Sequence, residues 1–315
     1  MVEKHMQHGF PIYQNFVDFK KAFDRVWHKG LWDTLRSFQV DEGLIRTIIG
    51  LYDGSTSSVR LHNKVGEPFP MTVGVRQGCP LSPVLFNIYF EKVMRNALEG
   101  HEPSVSIGWR PLSNLRFADD IALIAGSSEE LQDLTNRVNT CANQYGMHVS
   151  TEKSKVLVNA ISPAEVDIKL NGKTLEQVQT FKYLGSIMSE DGSSANDVHA
   201  RLQAATAAMT RLNKIWNSGM ISFTTKFPIY KSLVIPVLTY GCETWTLLSE
   251  QEKKIAAFEM KCYRTGMHNL RPAGHIRPAK QCRPAREASA HSTGNRHVSN
   301  NNEKKIPPPK KKKKN

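Results

Sequence analysis

Apolar positions recur with two different periods over residues 1–268, and the periodicity stops beyond them. Residues 16–19, Phe-Val-Asp-Phe, read as a short apolar strand. Leu31, Leu35 and Phe38 share one face of a helix over 29–38, and Leu44, Ile48, Leu51 and Tyr52 point inward from a second over 43–52. The stretches 59–62 and 69–73 suggest a hairpin around 63–67. Ser82 as N-cap and Pro83 as first helical residue predict a helix running to about Leu98. Residues 114–117 and 121–125 read as strands with Asp119 and Asp120 between them. Leu131, Leu134, Val138, Cys141, Ala142 and Tyr145 keep helical spacing. Residues 156–160 and 166–170 are strand-like, Asn171-Gly172 is a strong hairpin turn, and 181–187 is another strand. Helical patterns then cover 195–217, 224–237 and 249–265. A mixed α/β part followed by an all-helical part predicts two units with a boundary near 189–194.

Composition supports that division. The chain has 315 residues, which suggests two domains at roughly 150 residues each. It is 40% hydrophobic and 23% charged, which excludes a fully disordered or collagen-like chain. No run of 18 apolar residues occurs, and the opening MVEKHMQHGF lacks the apolar core of a secretory leader, so neither a membrane-spanning helix nor a leader is expected. Five cysteines without a CxxC pair argue against a structural zinc site or a disulfide framework and for a reducing compartment. The net charge of +13 is misleading, because residues 269–315 hold 13 Lys and Arg against 2 acidic residues. The body is nearly neutral, so any nucleic-acid contact must come from local sites. The tail, which ends IPPPKKKKKN, reads as disordered: either a basic arm for phosphates or a nuclear-import receptor, or the translation of a poly(A) stretch.

Three acidic residues stand at strand ends. Asp18 closes an apolar strand, and Asp119 and Asp120 sit at the tip of an apolar hairpin. Strand ends from distant segments converge on one edge of a sheet, and carboxylate oxygens suit hard cations. A pair of magnesium ions roughly 3.5–4 Å apart clamps the attacking and leaving oxygens of a phosphoryl displacement. Taken singly, each Asp reads as a solvated turn residue, and only the surrounding context points to a metal site.

The motifs in order resemble a known family. FVDFKKAFDRVWH (16–28) resembles motif A of reverse transcriptases of non-LTR, LINE-type retrotransposons, RQGCPLSPVLFNIY (76–89) motif B, and FADD (117–120) motif C. YGMHVSTEKSK (145–155) is similar to motif D, FKYLGSIM (181–188) to motif E, and 215–266 to the thumb. The resemblance implies an α+β fold: a right-hand polymerase palm, an antiparallel sheet with helices on one face, over 1–190, and an all-helical thumb over 191–268. It implies RNA-directed DNA polymerase activity with two magnesium ions, manganese being a substitute, on an RNA template, a DNA primer and deoxynucleoside triphosphates, with no membrane. Asp18, Asp119 and Asp120 would hold the metals. Lys153, by itself a surface cation, would protonate or neutralise the leaving pyrophosphate. Phe23, by itself a core aromatic, would exclude a ribose 2′-hydroxyl. Gln77 and Gly78 would line the nascent base pair, and Tyr183, Leu184 and Gly185 would form the primer grip. Arg201, Arg211, Lys214, Lys226 and Lys231 are helix-borne cations for a duplex backbone or a plain solvated face. Trp216, Tyr230, Tyr240 and Trp245 read as core.

Departures from the family are visible as well. About a dozen residues precede motif A, so the fingers and an amino-terminal endonuclease are expected to be missing. Ser150 stands where motif D usually has Asn, and Cys262, His268, His275 and Cys282 lack zinc-ligand spacing. The alternative reading is therefore a catalytically inert, transposon-derived nucleic-acid-binding relic. An RNA-dependent RNA polymerase would share the carboxylates, but Phe23 argues against it.

Overall fold

The structure is a computed structural model that describes residues 2–162 and 165–266. The basic tail, read as disordered, lies outside the described residues, as do His268, His275 and Cys282. The chain is mixed α+β, and among the described residues no helix is long and apolar enough to cross a membrane.

One sheet organises the first unit. Its strands are β1 (Ile12–Val17), β2 (Asn114–Phe117), β3 (Asp120–Ala125), β4 (Lys155–Asn159) and β5 (Glu176–Gln177), in the spatial order β5-β4-β1-β3-β2. All neighbours are antiparallel except β4 and β5, so the expectation of a purely antiparallel sheet holds only up to this edge. β1 is central and buried on both faces, so its two polar residues, Gln14 and Asn15, must find partners inside the protein.

Side chains alternate between two layers. Val17, Ile121, Leu123, Val156 and Val158 face helices α1 (His28–Ser37), α2 (Glu42–Tyr52), α3 (Ser82–Leu98) and α4 (Ser128–Gln144) in one large core. Phe16, Ala122 and Leu157 face the other way, against a hairpin of β6 (Thr180–Tyr183) and β7 (Ser186–Ser189). Phe16 stacks on Phe181 at 4.1 Å between ring centroids, a contact that adds about 1 kcal/mol to the burial itself. The sheet is thus covered on both faces, not by helices on one face alone.

Buried polar side chains pin these layers. Gln14 donates to Asn159 Oδ1 at 2.6 Å, and Asn159 donates onward to the carbonyls of Ser189 and Glu190. Asn15 donates to Thr135 of α4 at 2.9 Å. Each satisfies a group that would otherwise cost about 1–3 kcal/mol to bury.

A second apolar core belongs to α5 (Ala195–Arg211), α6 (Asn213–Trp216), α7 (Phe223–Leu233), α8 (Ile235–Leu238) and α9 (Ser249–Gly266). Val198, Ala205, Trp216, Tyr230, Leu238, Trp245 and Ile255 fill it. The single helices expected over 195–217 and 224–237 are each divided. The second breaks where Pro236 enters and cannot donate to the preceding turn.

Several local expectations are corrected. The inward face of α2 carries Ile45, Ile48 and Tyr52, while Leu44 and Leu51 are half in solvent. The expected hairpin around 63–67 has a different register: residues 56–57 pair with 69–70, and a tighter ladder joins 60–61 to 64–65. Ser82 begins α3 but makes no side-chain cap, and its hydroxyl is buried without a partner. The strand expected over 181–187 is the β6–β7 hairpin, and that expected over 166–170 shrinks to Lys169–Leu170 beside the Asn171-Gly172 turn.

Candidate active site

The register of the sheet decides where the acidic residues fall. Val17 pairs with Ile121, so the next position along each strand is a carboxylate, Asp18 on one and Asp120 on the other. Asp119 lies in the two-residue turn between β2 and β3, where Phe117 pairs with Asp120 and Ala118 is held at φ +54°. A non-glycine residue in that region costs roughly 1–2 kcal/mol, and such strain collects at functional turns.

Negative charge accumulates here. The Asp120 carboxyl is held above the usual carboxylate range, first by partial loss of hydration and then by the charges of Asp119 and Asp18. The residue still reaches solvent, so water screens part of this repulsion. Asp18 Oδ2 is out of contact with water and accepts no hydrogen bond. The ammonium of Lys153, itself exposed, stands 3.7 Å from that oxygen.

Lys153 is brought there by backbone bonds. Ser150 N donates to Asp18 O at 2.8 Å, and Asp18 N donates to Ser154 Oγ at 3.2 Å. Lys20 N donates to His148 O, and Lys153 N reaches Ser150 Oγ at 3.4 Å. The serine that departs from the motif D pattern is therefore buried and bonded in this stitch. Ser154, whose hydroxyl accepts from Asp18 N, and His148, whose carbonyl accepts from Lys20 N, were not singled out in the sequence, because nothing in their spacing marks these long-range bonds.

Beyond Asp18 the chain turns through a short 3₁₀ helix, Phe23–Arg25. The half-buried Phe23 ring stacks on Phe86 of α3 at 4.2 Å. The loop that precedes α3 is tied to this turn: Val75 N donates to Phe23 O at 2.9 Å, and Gln77 Nε2 donates to Asp24 Oδ1 at 3.3 Å. Asp24 is a partner that sequence reasoning missed. Gly78 adopts φ +82°, with open space where a Cβ would be. Backbone conformation, not crowding, is what selects glycine there.

The third element is the β6–β7 turn. Leu184 and Gly185 adopt φ +48° and +87°, as a two-residue type I′ turn requires. Tyr183 packs on Phe16 at 5.3 Å, and its phenol is pushed up by burial and by the charge of Asp120. The hairpin thus lies beside the carboxylates.

Two of the helix-borne cations are committed elsewhere. Lys226 is buried and donates to Trp216 O at 2.8 Å, and the Arg201 guanidinium donates to Gly185 O. Arg211, Lys214 and Lys231 are exposed. Tyr240, read as core, is instead half in solvent, and its hydroxyl reaches Leu184 O at 2.9 Å.

Among the described residues no three His, Cys, Asp or Glu side chains close into a ready-made cage. Magnesium does not need one, because it is commonly held by one or two carboxylates together with water and the phosphates of its substrate. An orphaned carboxylate oxygen beside a carboxyl repelled by its neighbours fits that role.

Residues 3–188 match the family described as reverse transcriptase (RNA-dependent DNA polymerase). The chain belongs to this family. The chain is 26% identical over 264 residues to the probable RNA-directed DNA polymerase from transposon X-element of Drosophila melanogaster, covering 79% of this chain and 27% of that one. It is 26% identical over 268 residues to the Pol polyprotein from type-1 retrotransposable element R2 of Popillia japonica, covering 80% and 42% respectively. The chain thus spans between about a quarter and two fifths of the length of these relatives, which come from non-LTR retrotransposons as the motifs imply. Among solved structures, telomerase from Candida Tropicalis in complex with a fragment of telomeric RNA aligns with TM-score 0.49 and 14% identity, over 84% of this chain and 41% of that one.

Proposed function

We propose that the chain is the palm and thumb portion of a non-LTR retrotransposon reverse transcriptase, extending a DNA primer along an RNA template. The palm is residues 1–190 and the thumb 191–268, with the basic stretch 269–315 following in the sequence. The observation that carries this reading is the meeting of Asp18 and Asp120 at the end of one ladder, with Asp119 beside them.

Asp18, Asp119 and Asp120 would hold two magnesium ions, manganese serving in their place. Bound there, the ions supply activation of a primer 3′-hydroxyl and neutralisation of a departing pyrophosphate. Lys153 Nζ, poised beside Asp18, gives a proton to that pyrophosphate. The Phe23 ring, fixed by Phe86, occupies the space of a ribose 2′-hydroxyl and so favours deoxynucleotides. Gln77 and Gly78 bound the nascent base pair, and the Tyr183-Leu184-Gly185 turn grips the primer.

Primer extension on an RNA template with magnesium and deoxynucleotides tests the reading. Wild-type protein extends the primer, and Asp119→Ala reduces extension about a thousandfold or more. Equal extension by both proteins refutes the assignment. Salt-sensitive binding to an RNA–DNA hybrid with no extension by either favours an inert relic.

A further inference from the structure

Between the two cores lies a charged network that the chemistry above does not use. Asp197, in the first turn of α5, is only 3% exposed. A buried carboxylate is costly unless it is bonded, and this one is bonded across both units. Oδ1 accepts from Ile187 N of β7 at 2.9 Å, and Oδ2 accepts from Trp245 Nε1 at 2.7 Å. One helical turn on, Arg201 Nε stands 3.8 Å from Oδ1.

Arg201 extends the network to the turn itself. Its guanidinium donates to Gly185 O and lies 4.4 Å from the centre of the Tyr240 ring. The Tyr240 hydroxyl donates to Leu184 O at 2.9 Å. Both carbonyls of the turn, and the Ile187 amide two residues after it, are therefore held by side chains of the helical unit. A leucine at positive φ persists only where its surroundings over-determine it, and these bonds do so. On its far side the hairpin rests on Phe16, two residues before Asp18.

We propose that Asp197 is a positioning residue: through Ile187 N, Trp245 Nε1 and Arg201 it locks the β6–β7 turn to the helical unit and fixes where a primer 3′ end lies beside Asp18, Asp119 and Asp120. This rests on the reading of those carboxylates as a polymerase site. Sequence spacing gives no hint of the lock, because Asp197 and Trp245 are 48 residues apart. A buttress that merely stabilises the hairpin would use the same bonds, so the test must read primer position and not stability alone.

Asp197→Asn and Trp245→Phe are compared with wild type in the full chain. Trp245→Phe keeps an aromatic ring but removes both the N–H and part of the indole bulk in a buried site, so Asp197→Asn, which changes no volume, is the variant that isolates the bonds. Three readouts are taken: hydrogen exchange of the Ile187 amide, steady-state primer extension, and cutting of a bound primer by Fe²⁺ in place of Mg²⁺, with hydrogen peroxide as oxidant and ascorbate to regenerate the Fe²⁺. Both variants should speed Ile187 exchange while leaving Asp120–Ala125 protected. They should lower kcat about a hundredfold, as misplacement by an ångström does, with KM for template–primer nearly unchanged. The iron cut, at the 3′ end in wild type, should spread into the primer. Unchanged Ile187 exchange overturns the lock. An unshifted iron cut, or a loss confined to KM, overturns the positioning role alone. If primer-bound wild type gives no iron cut, the carboxylate reading fails and takes the positioning role with it, whatever the exchange data show of the lock.

Discussion

Lys153 Nζ stands 3.7 Å from Asp18 Oδ2, an oxygen that has no hydrogen-bond partner. The lysine side chain is 72% exposed, and exposed pairs of this kind contribute about 0–1 kcal/mol to stability. Placed as a proton donor, the same ammonium is worth far more to a reaction. Lys153→Ala should therefore leave Tm within a degree or two while lowering kcat for primer extension about a hundredfold. A fall in Tm that accounts for the lost activity would contradict this role.

Leu184 separates stability from activity in the opposite direction. It occupies the first position of a type I′ turn at φ +48°, before Gly185. Asn-Gly is the pair this turn prefers. Leu184→Asn should raise stability by roughly 0.5–1 kcal/mol in a denaturant titration, yet weaken primer extension. A stabilised variant that keeps full activity would remove Leu184 from the primer grip.

Gly74 and Gly78 both have positive φ, +90° and +82°, but differ in surroundings. A Cβ on Gly74 would meet the Asp24 carbonyl at 3.0 Å, whereas one on Gly78 meets nothing within 4 Å. Gly78→Ala should cost about 1 kcal/mol from backbone strain alone. Gly74→Ala should cost clearly more, because backbone must move. Equal losses in thermal unfolding would contradict the geometry.

Glu130 provides the pH dependence. Its side chain, only 14% exposed, accepts from Ser104 N and Gly126 N at 3.0 and 2.9 Å and lies 3.4 Å from His101 Nε2. Burial pushes the carboxyl up, but the bonds from Ser104 and Gly126 and the charge of His101 outweigh it and hold it below the usual range. A carboxyl depressed by folding stabilises the fold above its unfolded pKa and loses that contribution as the pH falls through its folded one. Glu130→Gln should lower Tm at about pH 7, and the difference should close at about pH 3. A gap that persists in acid would show that packing, not charge, is what the substitution removes.

The elements that carry the carboxylates were legible where their patterns are simple. Strand β3 is a short apolar run beside the acidic pair, whereas β1, expected over 16–19, spans Ile12–Val17, because Gln14 and Asn15 hide its first half from an apolar pattern. Helices α1, α3 and α4 keep a clear 3.6-residue period. The inward face of α2 was misread because Leu44, Ile45, Ile48, Ile49 and Leu51 make it apolar nearly all round, so the period does not choose a face. Motif order named Asp18, Asp119, Asp120 and Lys153. It could not show that Ser150 and Ser154 stitch Lys153 to Asp18, since those bonds join a backbone group of one segment to a backbone or hydroxyl group of a segment more than 130 residues away. Tyr240 and Arg201 look like a core aromatic and a surface cation until the hairpin carbonyls they serve are seen.

A thiolate replacement tests most directly whether these carboxylates ligate the ions. Cysteine is a softer ligand than carboxylate and is poorly matched to magnesium. Asp18→Cys should abolish primer extension in Mg²⁺ and regain about tenfold or more of it in Mn²⁺ or Cd²⁺. Full activity of Asp18→Cys in Mg²⁺, or no recovery with the softer ions, would contradict the account.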